Sequence, residues 1–311
     1  MRVAACGLCH TDLHYLDHGV PTFKTAPVIL GHECSGTVEE LGPEVVGVNP
    51  GQRVLLPAVF TCGQCHQCRR GRENICVSMK MLGNHVNGAY AQWVVAPARE
   101  LMNLTDDLPL EESCIIADAL TTPYHAVVRR GDVRPGDRVL VLGCGGVGLG
   151  VVQMARAAGA YVAAVDIQDE KLALAEKLGA VVCLNSLKED NLSKAVARQL
   201  GGMPQVCFEA IGNPATLTQA MGAVEAGGRV VVVGYCEHDV PIKASRIMFR
   251  ELEVVGSLGC RPVDYPRVIE MVRRGTIQLA PLVSHRFPLE SIHEGLEMLR
   301  QGKLIRGIVV P

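Results

Sequence analysis

Hydrophobic and polar positions follow two different patterns along the chain. The first third contains short apolar runs, such as Val54-Leu55-Leu56, broken by Gly, Pro, Cys and His. From Val139 onward, apolar runs alternate with segments in which apolar and charged residues are mixed. Such alternation is typical of strands and helices that build a parallel sheet. We therefore predict an α/β protein, with an irregular β-rich domain followed by a doubly wound parallel sheet.

The alternation also predicts the individual elements of the second region. The predicted strands are Val139–Leu142, Tyr161–Val165, Ala180–Leu184, Val206–Ala210, Arg229–Val233 and Leu252–Ser257. The predicted helices are Leu149–Ala158, Lys171–Lys177 and Leu192–Leu200, followed by Val263–Arg274 and a last strand, Ile305–Val310. These elements divide the chain into a β-rich domain (1–117), a nucleotide-binding domain (118–258) and a return segment (259–311).

A glycine-rich turn follows the first strand of the predicted parallel sheet and opens a helix. Its sequence is Gly143-Cys144-Gly145-Gly146-Val147-Gly148. Glycines in this context let backbone N–H groups approach a pyrophosphate at the helix N-terminus. Asp166 ends the next strand, where a carboxylate accepts hydrogen bonds from an adenosine ribose and repels the extra phosphate of NADP. The pattern predicts an NAD site; the alternative is a glycine turn with a capping Asp.

Four cysteines in one short segment predict a metal site. Cys62, Cys65 and Cys68 are spaced three residues apart and Cys76 follows. Four thiolates can surround one tetrahedral zinc and leave no ligand position open, which indicates a structural site in a lobe at 62–76. An iron–sulfur cluster is the alternative, but its usual runs place the fourth cysteine nearer and follow it with Pro.

A second group of candidate ligands is dispersed. Cys9, His10, Thr11, Asp12 and His14 lie near the start of the chain. Gly31-His32-Glu33 comes later, after a predicted short strand at 28–30. A thiolate and an imidazole can form part of an open zinc site that leaves one position for substrate.

Together these motifs resemble the zinc-dependent medium-chain alcohol dehydrogenase family. The matching stretches are 5–12, 31–33, the four-cysteine lobe and 143–148 with Asp166. The resemblance implies a GroES-like catalytic domain and a Rossmann domain with the cofactor between them. Relatives in this family carry a few dozen residues before the position of Met1, so the chain is short at its N-terminus.

The resemblance also implies roles for the dispersed residues. Cys9, His32 and Asp118 correspond to ligands of a catalytic zinc, and Glu33 to a transient ligand. Asp12 corresponds to a carboxylate that orients the histidine ligand. Spacing alone does not identify Asp118, which without the resemblance reads as a helix-capping or surface residue.

Proton transfer and cofactor contacts are implied in the same way. Thr11 and His14 correspond to a relay that carries the alcohol proton to solvent. His10, Lys171 and Arg306 correspond to basic residues near the pyrophosphate or the adenosine ribose. The expected function is hydride transfer between an alcohol and NAD, giving an aldehyde or ketone. The expected assembly is a homotetramer or homodimer.

Composition excludes some other classes. The chain has 311 residues, a net charge of −2 and 4% aromatic residues, which argues against a nucleic-acid binder. Glycines interrupt its most apolar stretch, so we expect no membrane span. The 13 cysteines are an odd number, and the first residues lack the pattern of a signal peptide, so we expect a cytoplasmic protein. Two alternative functions remain: a polyol or amino-alcohol dehydrogenase, and a non-catalytic relative that binds NAD or zinc.

Overall fold

The computed structural model describes all 311 residues. Its strands are β1 (Arg2–Gly7), β2 (Glu33–Thr37), β3 (Arg53–Leu56), β4 (Val59–Phe60), β5 (Lys80–Met81), β6 (Met102–Asn103), β7 (Arg138–Leu142), β8 (Tyr161–Asp166), β9 (Val182–Asn185), β10 (Val206–Glu209), β11 (Arg229–Val232), β12 (Glu253–Gly256), β13 (Val283–Pro288) and β14 (Arg306–Val310). Its α-helices are α1 (His10–Asp17), α2 (His66–Arg69), α3 (Thr121–Tyr124), α4 (Gly146–Ala157), α5 (Asp169–Lys177), α6 (Leu192–Leu200), α7 (Pro214–Ala223), α8 (Ala244–Arg250), α9 (Tyr265–Arg273) and α10 (Ile292–Arg300). None of the helices combines the length and the apolar character that a membrane span requires.

The chain folds into two compact units. The first unit contains Met1–Thr121 and Gly259–Pro311, and the second contains Thr122–Leu258. Asp118 therefore lies in the first unit, whereas the division drawn from the sequence put it at the start of the second. All the dispersed candidate ligands thus belong to one unit.

The first unit is built on a six-stranded sheet in the order β13-β14-β1-β2-β3-β6. β1 is antiparallel to both β14 and β2, and Gly7 at the end of β1 lies opposite Glu33 at the start of β2. This register brings the residues that follow β1 close to those that precede β2. Apolar side chains such as Leu8, Phe287 and Val309 pack between this sheet and α10 and stabilise the arrangement.

The second unit contains a six-stranded parallel sheet in the order β12-β11-β10-β7-β8-β9. This confirms the predicted α/β fold with a doubly wound parallel sheet. Leu142 at the end of β7 lies beside Val165 of β8 and Glu209 of β10, so the carboxyl ends of these strands are level. The strand order reverses at β7 and β10, which is where nucleotides bind to sheets of this kind.

The predicted short strand at 28–30 is not present. The carbonyl groups of Ile29, Leu30 and Gly31 all accept hydrogen bonds from residues 88–90. In a regular strand successive carbonyls point to opposite sides, so three in a row cannot bond one neighbour. Gly31 has a φ of +93°, a left-handed conformation that turns the chain before His32.

Candidate metal centres and dinucleotide site

The four-cysteine lobe forms a compact group of sulfur atoms. Four Sγ–Sγ separations among Cys62, Cys65, Cys68 and Cys76 lie between 3.5 and 3.9 Å. A tetrahedral zinc with Zn–S bonds of about 2.3 Å requires separations of about 3.8 Å. The four sulfur atoms therefore have the spacing that one zinc ion needs.

Backbone N–H groups point at these sulfur atoms. The amide of Cys65 lies 3.3 Å from the Sγ of Cys62, and the amide of Cys68 lies 3.5 Å from the Sγ of Cys65. The hydrogen bond from Cys68 lowers the pKa of Cys65 to about 6, which favours its thiolate. Burial has the opposite effect at Cys68 and raises its pKa to about 12. Four thiolates this close repel one another, and a bound cation removes that repulsion.

The dispersed ligands come together in the first unit. Ligand atoms of Cys9, His32, Glu33 and Asp118, hereafter the Cys9 cluster, lie within 4.8 Å of one another. The Oδ2 of Asp118 is 3.8 Å from the Sγ of Cys9 and 3.7 Å from the Nε2 of His32. Tetrahedral zinc with sulfur, nitrogen and oxygen ligands needs separations of about 3.4–3.7 Å. Both separations are close to that spacing, and a zinc ion held by these three donors would keep one tetrahedral position for a substrate or for Glu33.

Three different elements supply these side chains. Cys9 is the N-cap residue of α1, and His32 directly precedes β2. Asp118 is the C-cap residue of a 3₁₀-helical segment at 112–117. Residues at element ends are free of the regular backbone pattern, so their side chains can converge on one point.

Electrostatics in the Cys9 cluster favour a positive charge at its centre. Burial alone raises the pKa of the Cys9 thiol, but the neighbouring His32 more than offsets this and lowers that pKa. Burial alone lowers the pKa of His32, yet its contacts with Asp118, Asp12 and Cys9 raise that pKa well above its usual value. The thiolate of Cys9 and the carboxylate of Asp118, which favour a proton on His32 here, would also attract a metal cation.

Asp12 lies behind His32. Its side chain is fully buried, and its Oδ1 is 3.6 Å from the Nδ1 of His32. Its Oδ2 accepts hydrogen bonds from the Cys9 amide at 3.1 Å and from the Tyr90 hydroxyl at 2.7 Å. The carboxylate is therefore placed where it could orient the imidazole, the role that the family resemblance implies for Asp12.

The predicted relay residues and His10 lie on α1. The Oγ1 of Thr11 is 3.6 Å from the Sγ of Cys9, so its hydroxyl lies beside the cluster. His14 is one turn further along, and its Nδ1 is 3.0 Å from the Nδ1 of His18. His10 is the exposed first residue of the helix. The helix thus extends from the cluster towards solvent.

Glu33 is paired with a basic residue that the sequence suggested as a cofactor contact. Glu33 is fully buried, and its Oε1 is 3.1 Å from the guanidinium of Arg306. Arg306 is 3% exposed and also donates to the carbonyl of Leu8 at 2.8 Å. Burial raises the pKa of Glu33 well above its usual value, although Arg306 opposes this. A solvated surface position for Arg306 is therefore ruled out.

The glycine-rich turn connects β7 to α4 in the second unit. Gly143 has a φ of +94°, and a Cβ on Gly148 would lie 1.8 Å from the Gly143 carbonyl oxygen. These two glycines are therefore required by the protein's own packing. A Cβ on Gly145 would instead meet nothing within 4 Å. Open space above this glycine, at the N-terminus of α4, leaves room for a phosphate group.

Asp166 lies next to that turn. Its carboxylate accepts hydrogen bonds from the amides of Cys144 at 2.7 Å, Ile167 at 2.8 Å and Gln168 at 3.0 Å. These bonds fix the carboxylate and tie the end of β8 to the turn. Lys171 lies in the first turn of α5, where its charge acts on Cys144. Gly146 and Val147 open α4 beside them.

Comparison with known proteins assigns both units. Residues 1–106 match the alcohol dehydrogenase GroES-like domain, and residues 146–274 match the zinc-binding dehydrogenase domain. An alcohol dehydrogenase of Geobacillus stearothermophilus is 36% identical over 100% of this chain and 90% of its own length. The chain belongs to the zinc-type medium-chain alcohol dehydrogenase family. The resemblance drawn from the sequence is confirmed.

Other members of this family show its range. An L-threonine 3-dehydrogenase of Bacillus licheniformis is 32% identical over 100% of this chain and 90% of its own length. A Sinorhizobium meliloti protein whose structure was solved bound to NADP has a TM-score of 0.92 and 32% identity, covering 100% of this chain and 91% of that chain. The chain is therefore an NAD(P)-dependent oxidoreductase that acts on alcohols, and its residues fit zinc and NAD(P).

Two further residues near the Cys9 cluster escaped sequence reasoning. Tyr90 contacts Asp12, and the Tyr265 hydroxyl donates to the carbonyl of Ala117 at 2.7 Å. Neither tyrosine belongs to a sequence motif, and neither is spaced from the ligands in a way that would predict its role. Only the tertiary contacts reveal them.

Proposed function

We propose that this chain is a zinc-dependent alcohol dehydrogenase that prefers NAD and interconverts an alcohol with an aldehyde or ketone. One observation carries the proposal: the donor atoms of Cys9, His32 and Asp118 converge with the separations that an open tetrahedral zinc site needs. The family assignment supplies the reaction class, and the cluster supplies a place where that reaction can occur.

In this proposal Cys9, His32 and Asp118 hold the catalytic zinc and the four-cysteine lobe holds a structural one. When bound, zinc supplies a Lewis acid that lowers the pKa of a substrate hydroxyl, and NAD supplies the hydride acceptor. Asp12 keeps His32 in the orientation that leaves its Nε2 facing Cys9 and Asp118. Glu33, held by Arg306, is an additional carboxylate that can approach the metal.

The proton of the substrate hydroxyl leaves along α1. The Thr11 hydroxyl, next to Cys9, accepts and passes on this proton. His14 then transfers it to solvent, because an imidazole can both take up and release protons near neutral pH. The hydrogen-bonded neighbour His18 extends this path along the helix.

Asp166 supports the preference for NAD. A carboxylate at the end of β8 favours ribose hydroxyls and repels a 2′-phosphate. The next two residues, Ile167 and Gln168, carry no positive charge that would bind that phosphate. We also retain His10, Lys171 and Arg306 as proposed contacts of the dinucleotide.

The cofactor preference can be tested by reversing these features. In the double variant Asp166→Ala, Ile167→Arg we expect the ratio of kcat/KM for NAD to that for NADP to fall by about a hundredfold, since a repulsion is removed and an attraction added. The two kcat/KM values are measured with the same alcohol, by following the formation of NADH or NADPH. The matched control is Val181→Arg, an exposed residue just before β9, at the opposite end of that strand from the Asn185 that pairs with Asp166. An unchanged ratio in the double variant would refute the assigned ribose contact.

Substrate identity is tested with a panel of alcohols. The zinc-loaded protein receives NAD with primary, secondary and aromatic alcohols, polyols and L-threonine, and NADH formation is recorded. We expect turnover of simple alcohols. Turnover confined to polyols or to L-threonine would favour the alternative suggested by the L-threonine 3-dehydrogenase relative. A protein that holds two zinc ions and NAD yet oxidises none of these alcohols would contradict the proposal.

A further inference from the structure

Two tyrosine hydroxyls form hydrogen bonds with groups next to the Cys9 cluster, although neither tyrosine is one of its ligands. Tyr90 donates to the Oδ2 of Asp12 at 2.7 Å, and its hydroxyl is 3.0 Å from the Gly7 carbonyl. Tyr265 donates to the carbonyl of Ala117, the residue before Asp118, at 2.7 Å. The first contact involves the carboxylate that faces His32, and the second involves the carbonyl group of the residue before Asp118.

Tyr90 restricts rotation of the Asp12 carboxylate. Asp12 is fully buried, so no water competes for its oxygen atoms. The Tyr90 hydroxyl and the Cys9 amide both bond Oδ2, which leaves Oδ1 to face the Nδ1 of His32 at 3.6 Å. A buried carboxylate that loses one of its donors rotates or shifts towards the remaining donors. The tyrosine hydroxyl therefore helps to fix the group that orients His32.

The Tyr90 ring makes a second contact with the same ligand. A Cβ on Gly31 would lie 2.9 Å from ring atoms of Tyr90, so the ring packs directly on the backbone before His32. The Tyr90 amide also donates to the Leu30 carbonyl at 3.1 Å. The ring and amide thus fix the backbone at His32, while the hydroxyl fixes the carboxylate behind its imidazole.

Tyr265 acts on the backbone at the third ligand. The 3₁₀-helical segment ends at Ala117, and Asp118 follows with φ −140° and ψ −55°. Carbonyl groups at a helix end lack intrahelical partners and need other donors. The Ala117 carbonyl receives the hydroxyl of Tyr265 and, at 3.0 Å, that of Thr121. Tyr265 is 2% exposed and comes from α9, so a distant part of the chain holds this peptide group.

We propose that Tyr90 and Tyr265 are positioning residues of the Cys9 cluster, Tyr90 through Asp12 to His32 and Tyr265 through Ala117 to Asp118. This inference rests on the proposed function, because it assumes that Cys9, His32 and Asp118 bind zinc. The hydroxyls do not touch the metal or the substrate. They reduce the freedom of two ligands and so slow the release of zinc.

The test removes each hydroxyl and leaves the ring in place. Tyr90→Phe, Tyr265→Phe and the wild-type protein are loaded with zinc, and release to a chromogenic chelator is followed over time. The variant Cys9→Ser identifies which phase belongs to the Cys9 cluster, and the four-cysteine lobe serves as internal standard. We expect release from the Cys9 cluster to become about tenfold faster in each Phe variant, as is usual when the partner of a metal ligand is removed. Release from the lobe should stay unchanged.

The matched control is Tyr161→Phe. Tyr161 is 58% exposed and begins β8 in the other unit, and its hydroxyl makes none of the contacts described for the cluster. Its variant should release zinc at the wild-type rate. Cobalt substitution adds a spectroscopic readout, since the visible spectrum of the cobalt in the Cys9 cluster should change in the two test variants and not in this control.

A double-mutant cycle tests the route through Asp12. If Tyr90 acts through this carboxylate, Tyr90→Phe should change zinc release by less than about twofold in an Asp12→Asn background. A full and additive effect in that background would overturn the route from Tyr90 to His32.

Three other outcomes decide the remaining points. Wild-type release rates in both Phe variants would overturn the inference and leave the proposed function intact. Faster release from both sites, with a lower thermal midpoint, would show a general role in folding and also overturn it. If Cys9→Ser does not change the zinc content at all, the Cys9 cluster does not bind zinc, and both the proposed function and this inference are wrong.

Discussion

The four-cysteine lobe and the Cys9 cluster are two candidate metal centres built in opposite ways. The lobe takes all its ligands from residues 62–76, and amides of the same segment bond its sulfur atoms. The Cys9 cluster takes its ligands from Cys9, His32 and Asp118, on separate elements that only the folded sheet brings together. A local site is visible in the sequence and tolerates changes elsewhere. A dispersed site depends on many distant contacts and leaves a position free for chemistry.

The two centres also differ in whether a ligand position is open to a substrate. Four cysteines complete a tetrahedral shell, so the lobe has no vacancy for a substrate. In the Cys9 cluster three residues, Cys9, His32 and Asp118, are the proposed ligands, and the side chain of Asp118 is 18% exposed. Around it lie residues that can move a proton or orient a ligand, namely Thr11, His14 and Asp12. We therefore expect substitutions in the cluster to affect turnover and substitutions in the lobe to affect stability.

The largest expected effect is on turnover in the Cys9 cluster. Cys9→Ser should lower kcat/KM for the best alcohol by on the order of 1,000-fold, because the loss of metal activation costs several kcal/mol in the transition state. NADH affinity, measured by fluorescence titration, should not change, because Cys9 is not one of the proposed contacts of the dinucleotide. The control is Cys183→Ser, at a half-exposed position in β9. Near wild-type turnover in Cys9→Ser would remove the functional distinction between the two centres.

A substitution in the lobe should have the opposite signature. Cys65→Ser should lower the thermal midpoint by about 10 °C, because bound structural zinc contributes several kcal/mol to folding. The midpoint is measured by circular dichroism, and turnover per folded molecule at a permissive temperature should fall by less than about threefold. Cys183→Ser again provides the comparison. A wild-type midpoint together with a collapse of kcat would mean that the lobe has a catalytic role.

The smallest effect is expected at the third ligand. Asp118→Asn retains an oxygen donor and removes the charge, so zinc release from the Cys9 cluster should become about tenfold faster. The control is Asp107→Asn, an exposed residue whose carboxylate is 3.8 Å from Arg273. Release rates are followed with the same chelator. Identical rates in the two variants would place Asp118 outside the ligand set.

Much of the second unit could be predicted from the sequence. Its central strands, β7, β8 and β10, are mostly buried apolar runs, so local pattern and tertiary role coincide there. The turn at Gly143 and the carboxylate of Asp166 lie where that pattern put them. In the first unit the local pattern was weaker, and the predicted strand at 28–30 is wrong because a left-handed Gly31 turns the chain.

The sequence by itself determined the four-cysteine lobe and the dinucleotide turn, and its resemblance to a known family indicated the reaction class. In the lobe and the turn the chemistry is carried by residues close along the chain, so spacing alone encodes the geometry. Only the tertiary structure decided that Arg306 is buried against Glu33, and that Tyr90 and Tyr265 contact the groups next to His32 and Asp118. These contacts join residues far apart in sequence, and no local propensity specifies them, because they form only after the antiparallel sheet and its return segment have closed.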